Sequence, residues 1–145
     1  MFKLSTKVIL VSVLLISSQL IAPGTCKVTW LSTKEVRCLV DNVYHESRGE
    51  PWLGQILVAR VTLNRANSQT ICQTVYQPKQ FSWTSHHKQI NRGSSEYATA
   101  YYAAYAALNT KYEATYYHSI KVNPKWAKKF TKLDRVGNHI FYKAV

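Results

Sequence analysis

The sequence has few acidic side chains. It contains 7 Asp and Glu residues against 19 Lys and Arg, so its formal net charge is +12. Such a basic chain is expected to meet anionic partners, such as nucleic acid, lipid head groups or the acidic polymers of a cell wall. The scarcity also limits chemistry, because a mechanism that needs two carboxylates has few from which to choose.

Cysteine is also scarce, and no metal-binding spacing is present. The three cysteines, Cys26, Cys38 and Cys72, include no C-x-x-C pair, which argues against a cysteine zinc site. The five histidines include neither an H-E-x-x-H motif nor a pair at i, i+4 spacing. We therefore expect neither a metal nor a cofactor.

Cys38 and Cys72 are candidates for a disulfide. In an oxidising compartment they would close a loop of about 35 residues, which the chain-entropy model values at about 4 kcal/mol of stability. Two buried free thiols are the alternative. Cys26 lies next to the N-terminal segment and is lost if that segment is removed.

The one long apolar run covers residues 8–22, after Lys3 and Lys7 and before a Pro-Gly-Thr sequence. A basic start, an apolar stretch and small residues after it are typical of a secretory signal peptide, which we predict over residues 1–25. A weak uncleaved signal-anchor and a buried core helix are the alternatives. Either of the first two exports the domain to the periplasm or cell envelope, and an uncleaved segment would tether it to the membrane.

After residue 27 the chain shows no internal repeat, low-complexity tract or long linker, so we predict one domain over residues 30–145. Ser32 and Glu35 fit a capping box that begins a first helix, and Gly49 is placed to end it. A second helix, a loop, a third helix and two strands are predicted over residues 51–67, 73–87, 95–109, 114–122 and 138–145. This order predicts an α+β domain, mainly helical, with a small antiparallel strand pair near the C-terminus.

The third predicted helix is rich in tyrosine and alanine. Its alanines would let neighbouring helices approach closely. Tyr101 and Tyr105 lie four residues apart, on one face, and we expect them in the core with their hydroxyl groups hydrogen-bonded.

The acids can be sorted by position. Five have expected roles in capping, in a turn or on a solvated helix face: Glu35, Asp41, Glu96, Glu113 and Asp134. Glu46 and Glu50 remain, in the sequence YHESRGEP at the end of the first helix. The negative end of the helix dipole disfavours an anion, so we expect a raised pKa for Glu46. A solvated helix end paired with Arg48 explains this glutamate equally well.

Short motifs follow one another in a fixed order along most of the chain. An aromatic residue, Glu-small-Arg-Gly-Glu-Pro, Gly-Gln, Leu-Asn-Arg, apolar-Cys and Gln-Phe-Ser fall between residues 44 and 82. Tyr-His, Val-Asn-Pro-x-Trp and Gly-x-His-x-Phe-Tyr follow between residues 117 and 142. Each motif is weak alone, but the ordered set over residues 35–143 resembles the SleB-type cell-wall hydrolases, the spore-cortex-lytic enzyme family.

The resemblance implies a lysozyme-like domain that cleaves the β-1,4 MurNAc–GlcNAc bond of peptidoglycan. It implies a lytic transglycosylase that forms 1,6-anhydromuramyl ends, with Glu46 as the catalytic acid, in phage lysis or bacterial wall remodelling. A hydrolysing muramidase with the same acid and a non-catalytic basic module that binds glycan or nucleic acid are the alternatives. We expect a monomer that acts on glycan strands, does not bind nucleic acid, and contacts a membrane only through residues 1–25.

A glycan cleft needs rings that stack on sugar faces and polar groups that meet their edges. The residues that we predict to form the walls of such a cleft are Gln80, Phe81, Ser82, Trp83, Tyr117 and His118. Packing under the loop is an equal alternative for Phe81 and Trp83. Glu50 is expected to support the structure, paired with Arg48, because a contact between Arg48 and Glu46 would oppose acid catalysis by lowering the pKa of Glu46.

Overall fold

Four helices precede a small antiparallel sheet in the computed structural model, which describes residues 31–86 and 88–145. The helices are α1 (Thr33–Ser47), α2 (Trp52–Arg65), α3 (Ile71–Tyr76) and α4 (Ser95–Ala107), and the strands are β1 (Tyr116–Ser119), β2 (Thr131–Val136) and β3 (His139–Lys143). The predicted signal peptide, Cys26 and His87 lie outside the described residues. None of the described helices is both long and apolar enough to cross a membrane.

The helix α1 begins and ends where its sequence predicts. The Ser32 hydroxyl oxygen accepts a hydrogen bond from the Glu35 N–H at 3.3 Å, as an N-cap does. The Glu35 carboxylate accepts instead from the Cys72 N–H at 3.1 Å, so half of the predicted capping box becomes a tie to α3. Gly49 follows the helix at φ 88°, a left-handed conformation that glycine adopts without a steric penalty.

The helix α2 has apolar residues on two opposite faces because it lies between the other helices and the sheet. Ile56 and Ala59 belong to a core shared with α1, α3 and α4. Leu57 and Val61 pack on the opposite side against Phe141 of β3. A helix with two buried faces loses the polar stripe of a surface helix. The C-terminal end of α2 is thereby placed between α1 and β1.

The helix α4 packs through alanine, and three of its four tyrosines, Tyr101, Tyr102 and Tyr105, are exposed. Tyr101 and Tyr105 are 47% and 65% exposed, so their predicted place in the core is wrong. The core-facing residues are small and allow α4 to approach α1 and α2 closely. They are Ala100, Ala103, Ala104 and Ala107.

The sheet has three antiparallel strands in the order β1-β3-β2. In the β1–β3 pair Tyr117 lies opposite Phe141, and in the β2–β3 pair Lys132 lies opposite Tyr142. The predicted architecture, mainly helical with a small C-terminal antiparallel sheet, is confirmed. The sheet contains a third strand, β2, that was not predicted. It lies at an edge of the sheet and has a bulge between Lys132 and Arg135.

The segment predicted as a loop, residues 73–87, contains helical structure. The helix α3 has the full capping box: Thr70 Oγ1 accepts from the Gln73 N–H, and the Gln73 side chain accepts from the Thr70 N–H. A short 3-10 helix follows at Ser82–Ser85. A tight turn joins the two helices, closed by a hydrogen bond from the Gln80 N–H to the Gln77 carbonyl at 3.1 Å.

Asp41 is buried, in contrast to its predicted place on a solvated face. It is 3% exposed and accepts two hydrogen bonds from partners more than 50 residues away in sequence. The Arg92 guanidinium donates at 2.8 Å and the Tyr97 hydroxyl at 2.9 Å. This charge-assisted contact joins the middle of α1 to the segment that leads into α4.

Candidate active site

Glu46 lies in the last turn of α1, half-buried, and lines a cavity of about 510 Å³. Its Oε2 accepts a hydrogen bond from the Tyr117 hydroxyl of β1 at 3.0 Å. Burial raises the pKa of Glu46, while the Tyr117 hydrogen bond and the positive charges of Arg65 and Lys88 oppose the rise. The net direction is upward, toward a carboxyl that holds a proton at higher pH than an ordinary glutamate.

The end of α2 sets the position of Tyr117 relative to Glu46. The Asn64 side-chain amide donates to the carbonyls of Tyr112 and Ala114 at 2.7 and 2.8 Å. Arg65 Nε donates to the Thr115 carbonyl at 2.6 Å. These bonds attach the chain just before β1 to the helix that packs beside α1. The Asn64–Arg65 pair therefore fixes the start of the strand that brings Tyr117 to Glu46.

Arg65 is also a wall of the cavity. Its guanidinium carbon lies 5.6 Å from the Phe81 ring centroid and 5.0 Å from that of Tyr116, within cation–π range of both. Burial lowers the pKa of Arg65, and the nearby Glu46 is among the groups that counter this. A guanidinium keeps its charge in such surroundings. The cavity thus holds a fixed cation beside its carboxyl group.

The residues from 79 to 82 form one side of the cavity. Lys79, Gln80 and Ser82 are exposed and line it. Phe81 also lines it but is only 4% exposed, because its ring packs in the helical core. The predicted wall is therefore polar at its surface, with one ring behind it.

Trp83 does not line this cavity, in contrast to the predicted wall. It is 7% exposed, and its ring stacks on His45 at 4.3 Å between centroids. Its Nε1–H donates to Asn42 Oδ1 at 2.8 Å, and Asn42 in turn donates to Thr62 Oγ1 at 3.0 Å. Trp83 is thus a core residue whose polar atom is satisfied inside the protein.

His118 of β1 forms the opposite wall with Trp126. The Nδ1 of His118 lies 2.8 Å from the Ser119 carbonyl and therefore holds the ring hydrogen, because a carbonyl only accepts. Its Nε2 lies 3.0 Å from the Tyr142 hydroxyl. Both ring nitrogens are engaged within the protein, so His118 presents only its ring face and edge to the cavity. Trp126 packs against His118 and Tyr142 from the side, at 5.5 Å between ring centroids in each case.

Glu50 and Arg48 do not pair with each other, so that expectation is wrong. The Glu50 carboxylate accepts from the backbone N–H and side-chain amide of Asn138, at 2.8 and 3.1 Å. The Arg48 guanidinium lies 4.8 Å from the Tyr44 ring centroid. Glu50 therefore joins the α1–α2 junction to the β2–β3 turn, and neither residue lines the cavity around Glu46.

Cys38 of α1 and Cys72 of α3 form a disulfide, with their Cα atoms 5.2 Å apart. Together with the Glu35 contact, it holds α3 against α1. The chain that leaves α3 forms the Lys79–Ser82 side of the cavity. The disulfide therefore lies at the base of that side, away from Glu46.

Several residues of the site are absent from the sequence-based candidates. Asn64 and Arg65 belong to the Leu-Asn-Arg motif, and Val122, Pro124 and Trp126 belong to the Val-Asn-Pro-x-Trp motif, so the sequence showed these motifs but not the role of each residue. Lys79 also lines the cavity and belongs to none of these motifs. The contribution of these residues depends on how distant segments meet, which spacing along the chain does not indicate.

The arrangement provides one proton donor beside a cavity large enough for sugar rings. Among the described residues that line the cavity, Glu46 is the only carboxylic acid. The part of the chain that the structure describes contains no group of three or more His, Cys, Asp or Glu side chains that could hold a metal ion. The chemistry available is proton transfer by one carboxyl group, with hydroxyl, amide, cationic and aromatic groups that position a polar ligand.

Comparison with known proteins agrees with this geometry. The profile of the Cell Wall Hydrolase family matches residues 49–142, beginning three residues after Glu46. The spore cortex-lytic enzyme of Bacillus cereus is 32% identical over 128 residues, which are 83% of this chain and 48% of the relative. The enzyme of the same name from Bacillus subtilis is 33% identical over 118 residues, or 76% and 38% of the two chains. The chain thus spans less than half the length of these curated relatives.

Two solved structures share the fold over most of the domain. The catalytic domain of the germination-specific lytic transglycosylase SleB from Bacillus anthracis matches with a TM-score of 0.66 and 30% identity, over 79% of this chain and 98% of that domain. The catalytic domain of the Bacillus cereus SleB protein matches with a TM-score of 0.65 and 31% identity, over 77% and 91%. The ordered motifs, the family profile and the shared fold agree, and the chain belongs to the cell wall hydrolase family of SleB-type enzymes.

Proposed function

We propose that this protein cleaves the β-1,4 MurNAc–GlcNAc bond of peptidoglycan as a lytic transglycosylase, with Glu46 as its acid. The observation that supports this most directly is that Glu46 is the one carboxyl group among the described residues of the cavity lining, and that it is half-buried and held by Tyr117. A raised pKa keeps a larger share of Glu46 protonated, as an acid catalyst requires. Family membership and the likeness to SleB catalytic domains support the same reaction class.

In the first step Glu46 gives its proton to the glycosidic oxygen while the bond from that oxygen to the muramyl anomeric carbon breaks. Positive charge develops on the sugar as an oxocarbenium-like state. The carboxylate left on Glu46 accepts from the Tyr117 hydroxyl and lies near the Arg65 cation, and both interactions favour the anion that has just formed.

In the second step the 6-hydroxyl of the same muramyl residue bonds to the anomeric carbon and returns its proton to Glu46. The product is a 1,6-anhydromuramyl end, and the acid is ready for another cycle. This route needs no second carboxylate to activate water, in keeping with the cavity lining described above. Hydrolysis by the same acid would instead give reducing ends.

The remaining wall residues have binding roles in this proposal. Gln80 and Ser82 meet the polar edges of the glycan from one side. Tyr117 holds the acid, and His118 and Trp126 present aromatic surface from the other side. The Phe81 ring lies within cation–π range of Arg65, so Phe81 acts through that contact more than through the sugar.

The proposed setting is the cell envelope, in phage lysis or wall remodelling, with export directed by residues 1–25. Sequencing the N-terminus of the protein recovered from the envelope tests the export segment. A mature chain that begins after residue 25 would support a cleaved signal peptide, and a chain that begins at Met1 in the membrane fraction would support an anchor.

The decisive variant is Glu46→Gln, which keeps the size of the side chain and removes the acidic carboxyl proton. We expect the rate of murein solubilisation to fall by about 10²–10⁴, the contribution of a general acid. Glu113→Gln is the matched control, since Glu113 is exposed and its carboxylate is hydrogen-bonded only to Lys143 among the described residues. The proposal is wrong if both variants digest purified murein at the wild-type rate.

Mass spectrometry of the released fragments separates the two enzymatic alternatives. Transglycosylation yields muramyl ends that are lighter by one water than the reducing ends of hydrolysis. Reducing ends as the main product would assign Glu46 to a muramidase. Binding of murein without either product would support a non-catalytic module.

A further inference from the structure

Lys79 occupies a backbone position that favours glycine. It is the third residue of the turn closed by the hydrogen bond from the Gln80 N–H to the Gln77 carbonyl, directly after Pro78. Its φ is 67°, and it is the only non-glycine residue with positive φ in residues 31–86 and 88–145. Proline second and positive φ third are features of a type II turn, where glycine or asparagine is usual. A lysine backbone is therefore strained here, and a strained residue beside a cavity calls for a functional reason.

The side chain of Lys79 lies at the edge of the cavity that contains Glu46. Lys79 is exposed and lines that cavity next to Gln80. The ion pairs found within the described residues are Arg92–Asp41 and Lys143–Glu113, and neither includes Lys79. Its ammonium group is thus available to a ligand that enters the cavity.

Arg65 and Lys79, the two cations among the described residues that line the cavity, differ in which groups of a ligand they can reach. Arg65 is held by the Thr115 carbonyl and between two rings, so its position is fixed by the protein. Lys79 has a flexible stem on a surface turn and can follow a group outside the glycan chain. Glycan hydroxyl and acetamide groups carry no charge, whereas the peptide stem attached to muramic acid carries free carboxylates. Charge complementarity therefore favours the stem as the partner of Lys79.

We propose that Lys79 is a specificity-determining residue that binds a free carboxylate of the peptide stem on the muramyl residue being cleaved. The inference rests on the proposed function, because it assumes a murein substrate in this cavity. The contact forms outside the reacting bond and is the same in the ground and transition states. It therefore lowers KM and leaves kcat unchanged.

The test compares two soluble substrates of matched length. One is murein strands with peptide stems, and the other is the same strands after an amidase has removed the stems and the lactyl carboxylates so exposed have been converted to neutral amides. Lys79→Asn removes the charge and keeps a residue that tolerates positive φ. Lys79→Arg keeps the charge. Lys111→Asn is the control, since Lys111 is exposed and does not line this cavity.

We expect Lys79→Asn to raise KM about twofold to fivefold on strands with stems, the range of a solvent-exposed ion pair. On strands without stems its KM should equal that of the wild type, and Lys79→Arg and Lys111→Asn should leave both values unchanged. Thermal unfolding of Lys79→Asn should occur at the wild-type temperature or above it, because strain is relieved. A purely structural lysine would instead give a lower melting temperature and equal losses on both substrates.

An equal KM for wild type and Lys79→Asn on strands with stems overturns the proposal. An equal rise on both substrates overturns it as well, because the charge would then act on the glycan itself. If the wild type cleaves both substrates and Lys79→Asn behaves like it, the proposed function stands and only the role of Lys79 is lost. If the wild type cleaves neither substrate, the proposed function is wrong, and the inference about Lys79 is then wrong as well.

Discussion

The contact between the α1–α2 junction and the β2–β3 turn should be sensitive to one methyl group at Gly137. Gly137 has φ 56°, and a Cβ added there would overlap Glu50 Oε2 and lie 2.7 Å from Pro51 Cδ. Glu50 is the end of a flexible side chain and can move, but only by leaving Asn138. The Pro51 ring cannot move without shifting the start of α2. Gly137→Ala should therefore separate the turn from the helix junction.

Gly49 provides the matched control, because its φ is 88° and a Cβ there would meet nothing within 4 Å. Left-handed backbone costs alanine about 1–2 kcal/mol, and lower entropy of the unfolded chain offsets about 0.4–1 kcal/mol of this. We expect Gly49→Ala to lower the free energy of unfolding by about 1 kcal/mol. Gly137→Ala also weakens two hydrogen bonds to a carboxylate, so about 3 kcal/mol is expected.

Urea unfolding with linear extrapolation resolves a difference of this size. Adding Glu50→Ala should make part of the Gly137→Ala effect disappear, because the overlap with Oε2 is gone while the crowding at Pro51 remains. If Gly49→Ala and Gly137→Ala lower the free energy of unfolding by the same amount, the argument is refuted. The overlap with Glu50 and Pro51 at Gly137 would then have no energetic effect.

Three further predictions concern Glu46 and the disulfide. Burial raises the pKa of Glu46, so the folded state binds its proton more tightly than the unfolded state, and this stabilisation is lost as pH rises through the folded pKa. Glu46→Gln should accordingly melt above the wild type at pH 7 in calorimetry, and a smaller difference at neutral than at acid pH would contradict it. Tyr117→Phe removes a hydrogen bond that lowers the pKa of Glu46, so the alkaline limb of the pH–rate profile should move to higher pH; an unmoved limb would separate Tyr117 from the acid. Replacing Cys38 and Cys72 by alanine should lower the free energy of unfolding by up to about 4 kcal/mol, and a reductant should destabilise the wild type but not the double variant.

Local signals in the sequence were sufficient for the start of α1, the break at Gly49 and the strands β1 and β3. The strand β2 was not predicted because its sequence lacks a regular alternation of apolar and polar residues. It lies at the edge of the sheet, four of its six residues are exposed, and a bulge interrupts its register between Lys132 and Arg135. An edge strand of this kind has little apolar pattern to detect.

The errors on α4 and Asp41 have a different origin. Tyrosine is larger and more apolar than alanine, so pattern alone assigns the tyrosines of α4 to the core. The close approach of three helices favours the smaller side chain instead, and this distance is a tertiary property. Asp41 is buried because Arg92 and Tyr97 meet it from far along the chain. Contacts between residues so far apart in the sequence cannot be predicted from local spacing.

The surroundings of Glu46 explain why one carboxyl can serve both steps of the proposed reaction. An acid that gives a proton and then takes one back works best when its pKa lies near the operating pH, so neither form is strongly favoured. Burial pushes the pKa of Glu46 up, and Tyr117 and Arg65 hold it from rising further. The same end of α2 that contributes Arg65 also fixes the chain before Tyr117, through Asn64 and the Thr115 carbonyl. The Leu-Asn-Arg motif therefore adjusts the acid strength of a residue almost twenty positions earlier in the sequence, although only one of its side chains enters the cavity.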